Sequence, residues 1–258
     1  MSKKSLVLIN ALTLLLMLFA NFGSFAKIFS TETVAGISIK YNTLFAPAGY
    51  AFSIWSLIFI LCIGFVVHQF SLLSSNDPKQ LISRTGLWFS IGNLSNALWV
   101  YCWTNEMLSY AVILIIILLI SLIKLMLSLL TVYDKKNLKT LIWVWWPVTI
   151  YLGWIIVATV ACVATWFIYL GWNGGKISEQ FWAIIMIVIG CTIYILLIWK
   201  YHLNSTALVG IWAFTAIAAR HWGTFNLIAW SAMASTVIIM IVISISIILP
   251  VKPTIKKT

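Results

Sequence analysis

From Met107 to Ile123 the chain reads MLSYAVILIIILLISLI, without one charged residue, and similar stretches recur along its length. A segment this long and this apolar either crosses a bilayer or lies in the core of a large protein. Composition decides between the two. Of 258 residues only 8% are charged, 63% are hydrophobic, and the mean hydropathy is +1.07. A soluble domain carries about 25% charged residues. The chain cannot cover a soluble surface, and it reads as a single integral membrane domain over 1–258.

Apolar runs and loop punctuation predict an all-α polytopic transmembrane bundle of about eight helices. They fall near 5–25, 48–70, 86–103, 108–131, 144–169, 180–199, 205–220 and 225–249. The third and seventh are short and flecked with polar residues. SSNDPK (Ser74–Lys79), DKKNLK (Asp134–Lys139) and WNGGK (Trp172–Lys176) mark connections. Alternating the sides puts twelve Lys and Arg on one face of the membrane and four on the other. That bias predicts cytoplasmic termini in a plasma membrane. The abundance of lysine and isoleucine suggests a bacterial inner membrane. It also assigns the net charge of +11 to orientation, with no nucleic acid as partner. MSKK, the apolar run after it and SFA (Ser24–Ala26) resemble a signal peptide. The run exceeds the usual 7–15 residues of such a segment, so the first helix is expected to be retained.

What the spans lack narrows the chemistry. All five acidic residues, Glu32, Asp77, Glu106, Asp134 and Glu179, fall in predicted connections. Proton relays and many ion-coupled carriers place carboxylates within the membrane. Membrane hydrolases and transferases need acid, histidine or metal clusters, and none is visible. The sequence holds no nucleotide-binding fingerprint. Cys62, Cys102, Cys162 and Cys191 are scattered through apolar runs and read as packing residues. No catalytic residue, no metal and no obligatory cofactor are expected.

What the spans contain is tryptophan, fifteen in all. Trp143, Trp145, Trp146, Trp172 and Trp222 lie near span ends, where indoles sit at headgroup depth. Trp55, Trp99, Trp154 and Trp212 lie deeper. At about 100° per residue, Ala48, Phe52, Trp55 and Phe59 share one helix face. Phe89, Gly92, Asn96, Trp99 and Trp103 share another, and Pro147, Tyr151, Trp154, Ala158, Ala161 and Thr165 a third. Small residues on such stripes let backbones approach closely. Asn96 must turn inward, because an amide in hydrocarbon is costly. Three aromatic stripes facing one another form either a pocket for a flat apolar ligand or a solid core.

These residues carry a resemblance. The chain resembles the TspO/MBR family, the tryptophan-rich sensory proteins that include the mitochondrial translocator protein. Pro47, Phe52, Trp55, Ile58 and Phe59 resemble its proline-led second helix. Asn96 and Trp99 match its Asn-x-x-Trp, and Pro147, Trp154 and Ala158 resemble its fifth helix. Ala46 replaces the first of the family's paired prolines, and Cys162 stands where the family has asparagine. The resemblance spans roughly 44–166. It implies a five-helix core over 1–170 followed by three further helices over 171–258, in a divergent long form. It further implies a receptor or carrier for a hydrophobic small molecule, most simply a porphyrin or other tetrapyrrole. The ligand-binding residues would be Pro47, Phe52, Trp55, Phe59, Asn96, Trp99, Tyr151, Trp154 and Ala158. The rival expectations are a transporter of a small neutral solute and a porphyrin-degrading membrane protein. The lipid bilayer is the expected partner, with a homodimer as a further expectation.

Overall fold

The computed structural model describes residues 1–74, 80–130, 137–172 and 174–249, and among these it is helical with no strand. The helices are α1 (Lys3–Phe25), α2 (Val34–Tyr41), α3 (Ile54–Leu73), α4 (Leu81–Thr85), α5 (Trp88–Thr104) and α6 (Leu108–Leu129). They continue with α7 (Leu138–Thr140), α8 (Trp146–Tyr169), α9 (Glu179–Tyr201), α10 (Asn204–His221) and α11 (Asn226–Ile248). Eight are long, and they fall on the eight expected spans. Among the described residues six segments are both long and apolar enough to cross a membrane, which makes this a multi-pass membrane protein. The two others are α5 and α10, the short and polar pair. Much of SSNDPK and DKKNLK, together with Asn173, Lys252, Lys256 and Lys257, lies outside the described residues.

Packing explains why α5 and α10 tolerate polar residues. Helix α5 is wedged between α1 and α6, and α10 is enclosed by α8, α9 and α11. Their amides and hydroxyls face protein. Asn10 Nδ2 donates to Gln69 Oε1 at 2.9 Å, and Ser90 Oγ donates to Asn10 Oδ1 at 2.6 Å. Higher on the same seam Asn21 Nδ2 donates to Asn96 Oδ1 at 2.8 Å. On α10, Thr206 Oγ1 donates to Thr149 O at 2.9 Å. Helix α8 is the hub, touching α3, α6 and α10. Its Gly153 lets the α10 backbone come close. A Cβ there would lie 2.7 Å from the Thr206 carbonyl oxygen, closer than real contacts permit. The Tyr194 hydroxyl of α9 then reaches in and donates to Gly153 O at 2.7 Å. This is the use of small residues expected between helices in lipid.

Three local features depart from the sequence expectation. The second span does not start as an α-helix at Ala48. A 3-10 turn over Gly49–Ser53 comes first, and α3 begins at Ile54. Pro47 therefore precedes that turn and does not open the spanning helix. Helix α2 lies in what read as a plain connection. It is only eight residues long, capped by the Thr33 hydroxyl on Gly36 N at 3.0 Å and closed by Asn42 at φ 47°. Such a helix is too short to give a span signal. Third, a π-helical turn over Leu141–Trp145 leads into α8 just ahead of Pro147. Proline cannot donate to the preceding turn, and a widened turn absorbs the mismatch. Trp145, expected at the membrane interface, is buried instead.

Candidate functional site

The three aromatic stripes do face one another. Trp55 is edge-on to Tyr151, ring centroids 5.8 Å apart, and Phe52 is edge-on to Trp154 at the same separation. Trp99 stacks on Trp103 at 5.5 Å. Trp55, Trp99 and Trp154 are all buried. Between them lies an inner chamber lined by Pro47, Phe52, Trp55, Trp99, Trp154 and Ala158, with α2 contributing Val34 and Ser38. Six of the nine expected residues thus meet around one space. Asn96 and Tyr151 stand behind the lining, and Phe59 faces away from it.

The chamber is nearly full. Its volume is about 30 Å³, room for about one water molecule. On the other side of Phe52 and Trp55 lies a lateral groove of about 650 Å³ between α1, α2 and α3, also lined by Phe59. Phe52 and Trp55 line both spaces and form the partition between them. Stacking of Phe59 on Trp55, at 5.5 Å, braces the partition from the groove side.

Buried polar atoms cluster beside this chamber. Trp99 Nε1 and Asn96 Nδ2 have no hydrogen-bond partner among the described residues. Trp103, one turn on, is satisfied: its Nε1 donates to Val34 O at 3.0 Å. The Cys162 thiol lies beside Trp99 and is at most a weak acceptor. The Trp99 indole N–H is thus left with a poor acceptor and the Asn96 amide with none among the described residues, an arrangement that costs about 1–3 kcal/mol for each group. Among the described residues no three His, Cys, Asp or Glu side chains gather to hold a metal ion.

The family described as TSPO-like protein matches residues 7–245. The chain belongs to the TSPO-like family. The matched stretch runs through α9 and α10 and nearly to the end of α11. No curated protein and no solved structure matches the chain.

In this TSPO-like bundle α10 holds the roof of the chamber. Arg220 Nη1 donates to Ala46 O at 2.8 Å and Thr43 O at 3.2 Å, while Nη2 reaches Asn42 Oδ1. His221 Nε2 bonds Leu44 O at 2.8 Å, and Ala48 N donates to Ala216 O at 3.1 Å. Lower down, Trp212 Nε1 donates to Ala51 O at 3.1 Å. The segment that delivers Pro47, Phe52 and Trp55 is therefore clasped by a helix far away in sequence. Nothing in local periodicity signals this clasp. A lone Arg220 at the end of an apolar run was its only trace. Of the missed lining residues, Val34 and Ser38 were hidden by the unseen α2.

At the same end of the bundle α2 is tied to the α5–α6 connection. Glu106 accepts from Lys40 Nζ and, at 2.8 Å, from Tyr41 Oη. Those two hydrogen bonds hold the Glu106 carboxyl below its ordinary value. Burial, followed by the bond to Glu106, pushes Tyr41 up to about 12.

Proposed function

We propose that this membrane protein binds a planar hydrophobic ligand, a tetrapyrrole or a molecule of similar shape, at the aromatic chamber. It does so as a receptor or carrier. The observation that carries the reading is the shared partition. Phe52 and Trp55 separate an aromatic chamber of about 30 Å³ from a lipid-facing groove of about 650 Å³. A flat ligand that displaces those two rings joins the spaces and gains stacking partners in Trp99 and Trp154. The unpaired Trp99 Nε1 and Asn96 Nδ2 would meet its polar edge. Access is sideways from lipid between α1 and α3, which suits a ligand that partitions into membranes. The setting is a bacterial inner membrane, with both termini cytoplasmic.

Titrating the purified protein with protoporphyrin tests this. Saturable quenching of tryptophan fluorescence is expected, with a weakened midpoint in the Trp55→Ala, Trp99→Ala double variant. An unchanged midpoint in that variant removes the chamber as the site. One observation favours a second reading, a carrier for a small neutral solute: the α1–α3–α5 seam holds buried amides, and Gln69 Nε2 and Asn93 Oδ1 lack partners. Uptake of a neutral solute into proteoliposomes without porphyrin binding would favour it.

A further inference from the structure

A further space, of about 840 Å³, is distinct from both the chamber and the lateral groove. It opens between α3 and α10, over the start of α8, at the end of the bundle where α9 stops, α10 starts and α11 stops. Its inner limit is the contact of Trp212 with the turn ahead of α3, where Tyr50 stands edge-on to Trp212 at 5.3 Å.

Polarity along this space is graded. His202, Asn204, Ser205 and Ser246 line the terminal end, and the remainder, lined by Leu57, Ile150, Leu208 and Val209, is apolar apart from Ser53 at its inner limit. From Asn204 to Trp212 the helix rises roughly 12 Å, close to the ~15 Å depth of one leaflet's hydrocarbon. The terminal end offers donors. Asn204 Oδ1 accepts from Ser246 Oγ at 3.1 Å, which leaves its amide hydrogens available. Helix α10 has no side-chain cap at its start. Neither lysine of this end lines the space itself: Lys200, its ammonium 5.4 Å from the Tyr201 ring centroid, stands two residues ahead of His202, and Lys139 stands two ahead of Leu141. No described carboxylate lies at this end. Glu32 and Glu106 sit in connections at the opposite end, and Glu179 opens α9 at its far terminus.

We propose that this space is a binding site for an anionic phospholipid of the surrounding leaflet. The phosphate sits against the His202–Asn204 turn, and one acyl chain runs between Leu57 and Leu208 toward Trp212. A free phosphate would leave the apolar length of the site unused. A zwitterionic lipid would gain the same apolar contacts without the cationic end.

Photo-crosslinking in nanodiscs tests this, using chain-diazirine phosphatidylglycerol and the matching phosphatidylcholine. Labelling of α3 and α10 by the glycerol lipid should be saturable and should exceed labelling by the choline lipid. The excess should be about fivefold for each engaged lysine. Lys139→Gln with Lys200→Gln should erase that preference. Leu208→Trp should weaken labelling of both walls by narrowing the passage between Leu57 and Leu208. Leu208 is 57% exposed, so the larger side chain fits without disturbing the bundle. Labelling that is equal for the two lipids, or spread evenly over the lipid face of α6, overturns the proposal. So does labelling unaffected by Leu208→Trp in a variant with unchanged helical content.

Discussion

The inner chamber and the lateral groove share a wall, yet they are opposite in kind. The chamber is enclosed by five aromatic side chains and shut to about 30 Å³. The groove is more than twenty times larger and opens toward lipid. Aromatic side chains line both. The difference lies in who faces the aromatics. In the chamber, rings from α3, α5 and α8 meet rings, and α2 fills the remaining side. In the groove, Phe52, Trp55 and Phe59 face the ends of α1 and α2, where Phe22 meets Phe59 at 6.1 Å but Ser24, Thr33 and Ala35 are too small to fill the rest of the gap. Aromatic stripes therefore make a closed space or an open one according to the bulk of their neighbours.

The sharpest way to break that contrast is Trp55→Ala. Removing a buried indole costs about 3–5 kcal/mol and merges the two spaces. Thermal unfolding in detergent should show a large drop in Tm. Phe59→Ala, which touches only the groove, should show a much smaller one. If the two variants lose equal stability, the partition is not what closes the chamber.

Next in size is release of the roof. Arg220→Met removes the bonds to Ala46 O, Thr43 O and Asn42 Oδ1. Hydrogen bonds of a charged donor contribute about 1.5–3 kcal/mol. Hydrogen exchange should quicken across 42–51 while α5 and α6 remain protected. Uniform quickening would mean that the clasp supports the whole bundle and not the roof alone.

A smaller effect separates two stacked neighbours. Trp103→Phe loses the bond to Val34 O and should cost about 0.5–1.5 kcal/mol. Trp99→Phe gives up at most a weak contact with the Cys162 thiol and sheds a poorly satisfied buried N–H, so stability should hold or rise. A larger loss at Trp99 than at Trp103 would show that the Trp99 N–H has a partner after all.

The smallest effect concerns pH. Glu106 is held below its ordinary value, so its contribution is complete at neutral pH and fades as acid protonates the folded carboxylate. The pair with Lys40 is half exposed, and solvent screens it. Acidification below the carboxylate range should loosen α2, seen as faster exchange over Val34–Tyr41, and Glu106→Gln should abolish that dependence.

The sequence carried the facing of the stripes but not their closure. Trp55, Trp99 and Trp154 were legible as inward residues because spacing of three and four positions fixes a helix face. The inward turn of Asn96 followed from the cost of an amide in lipid. Closure was illegible because it depends on Val34 and Ser38, which reach the chamber from a two-turn helix that no span pattern reveals. Trp145 misled for a similar reason. Its place near a span end suggested the interface, but the π turn ahead of Pro147 redirects it. The clasp joins Arg220 to Asn42 across 178 positions, and no local pattern spans that distance.

That separation fixes an order of events during biosynthesis. A nascent chain reaches the membrane from its amino end, so Asn42–Ala51 is inserted long before Arg220 leaves the ribosome. Until α10 arrives, the turn that presents Phe52 and Trp55 lacks the guanidinium that anchors it. Chamber assembly is thus among the last steps of maturation, and a chain terminated near residue 170 would carry every ring of the chamber with its lid unfastened.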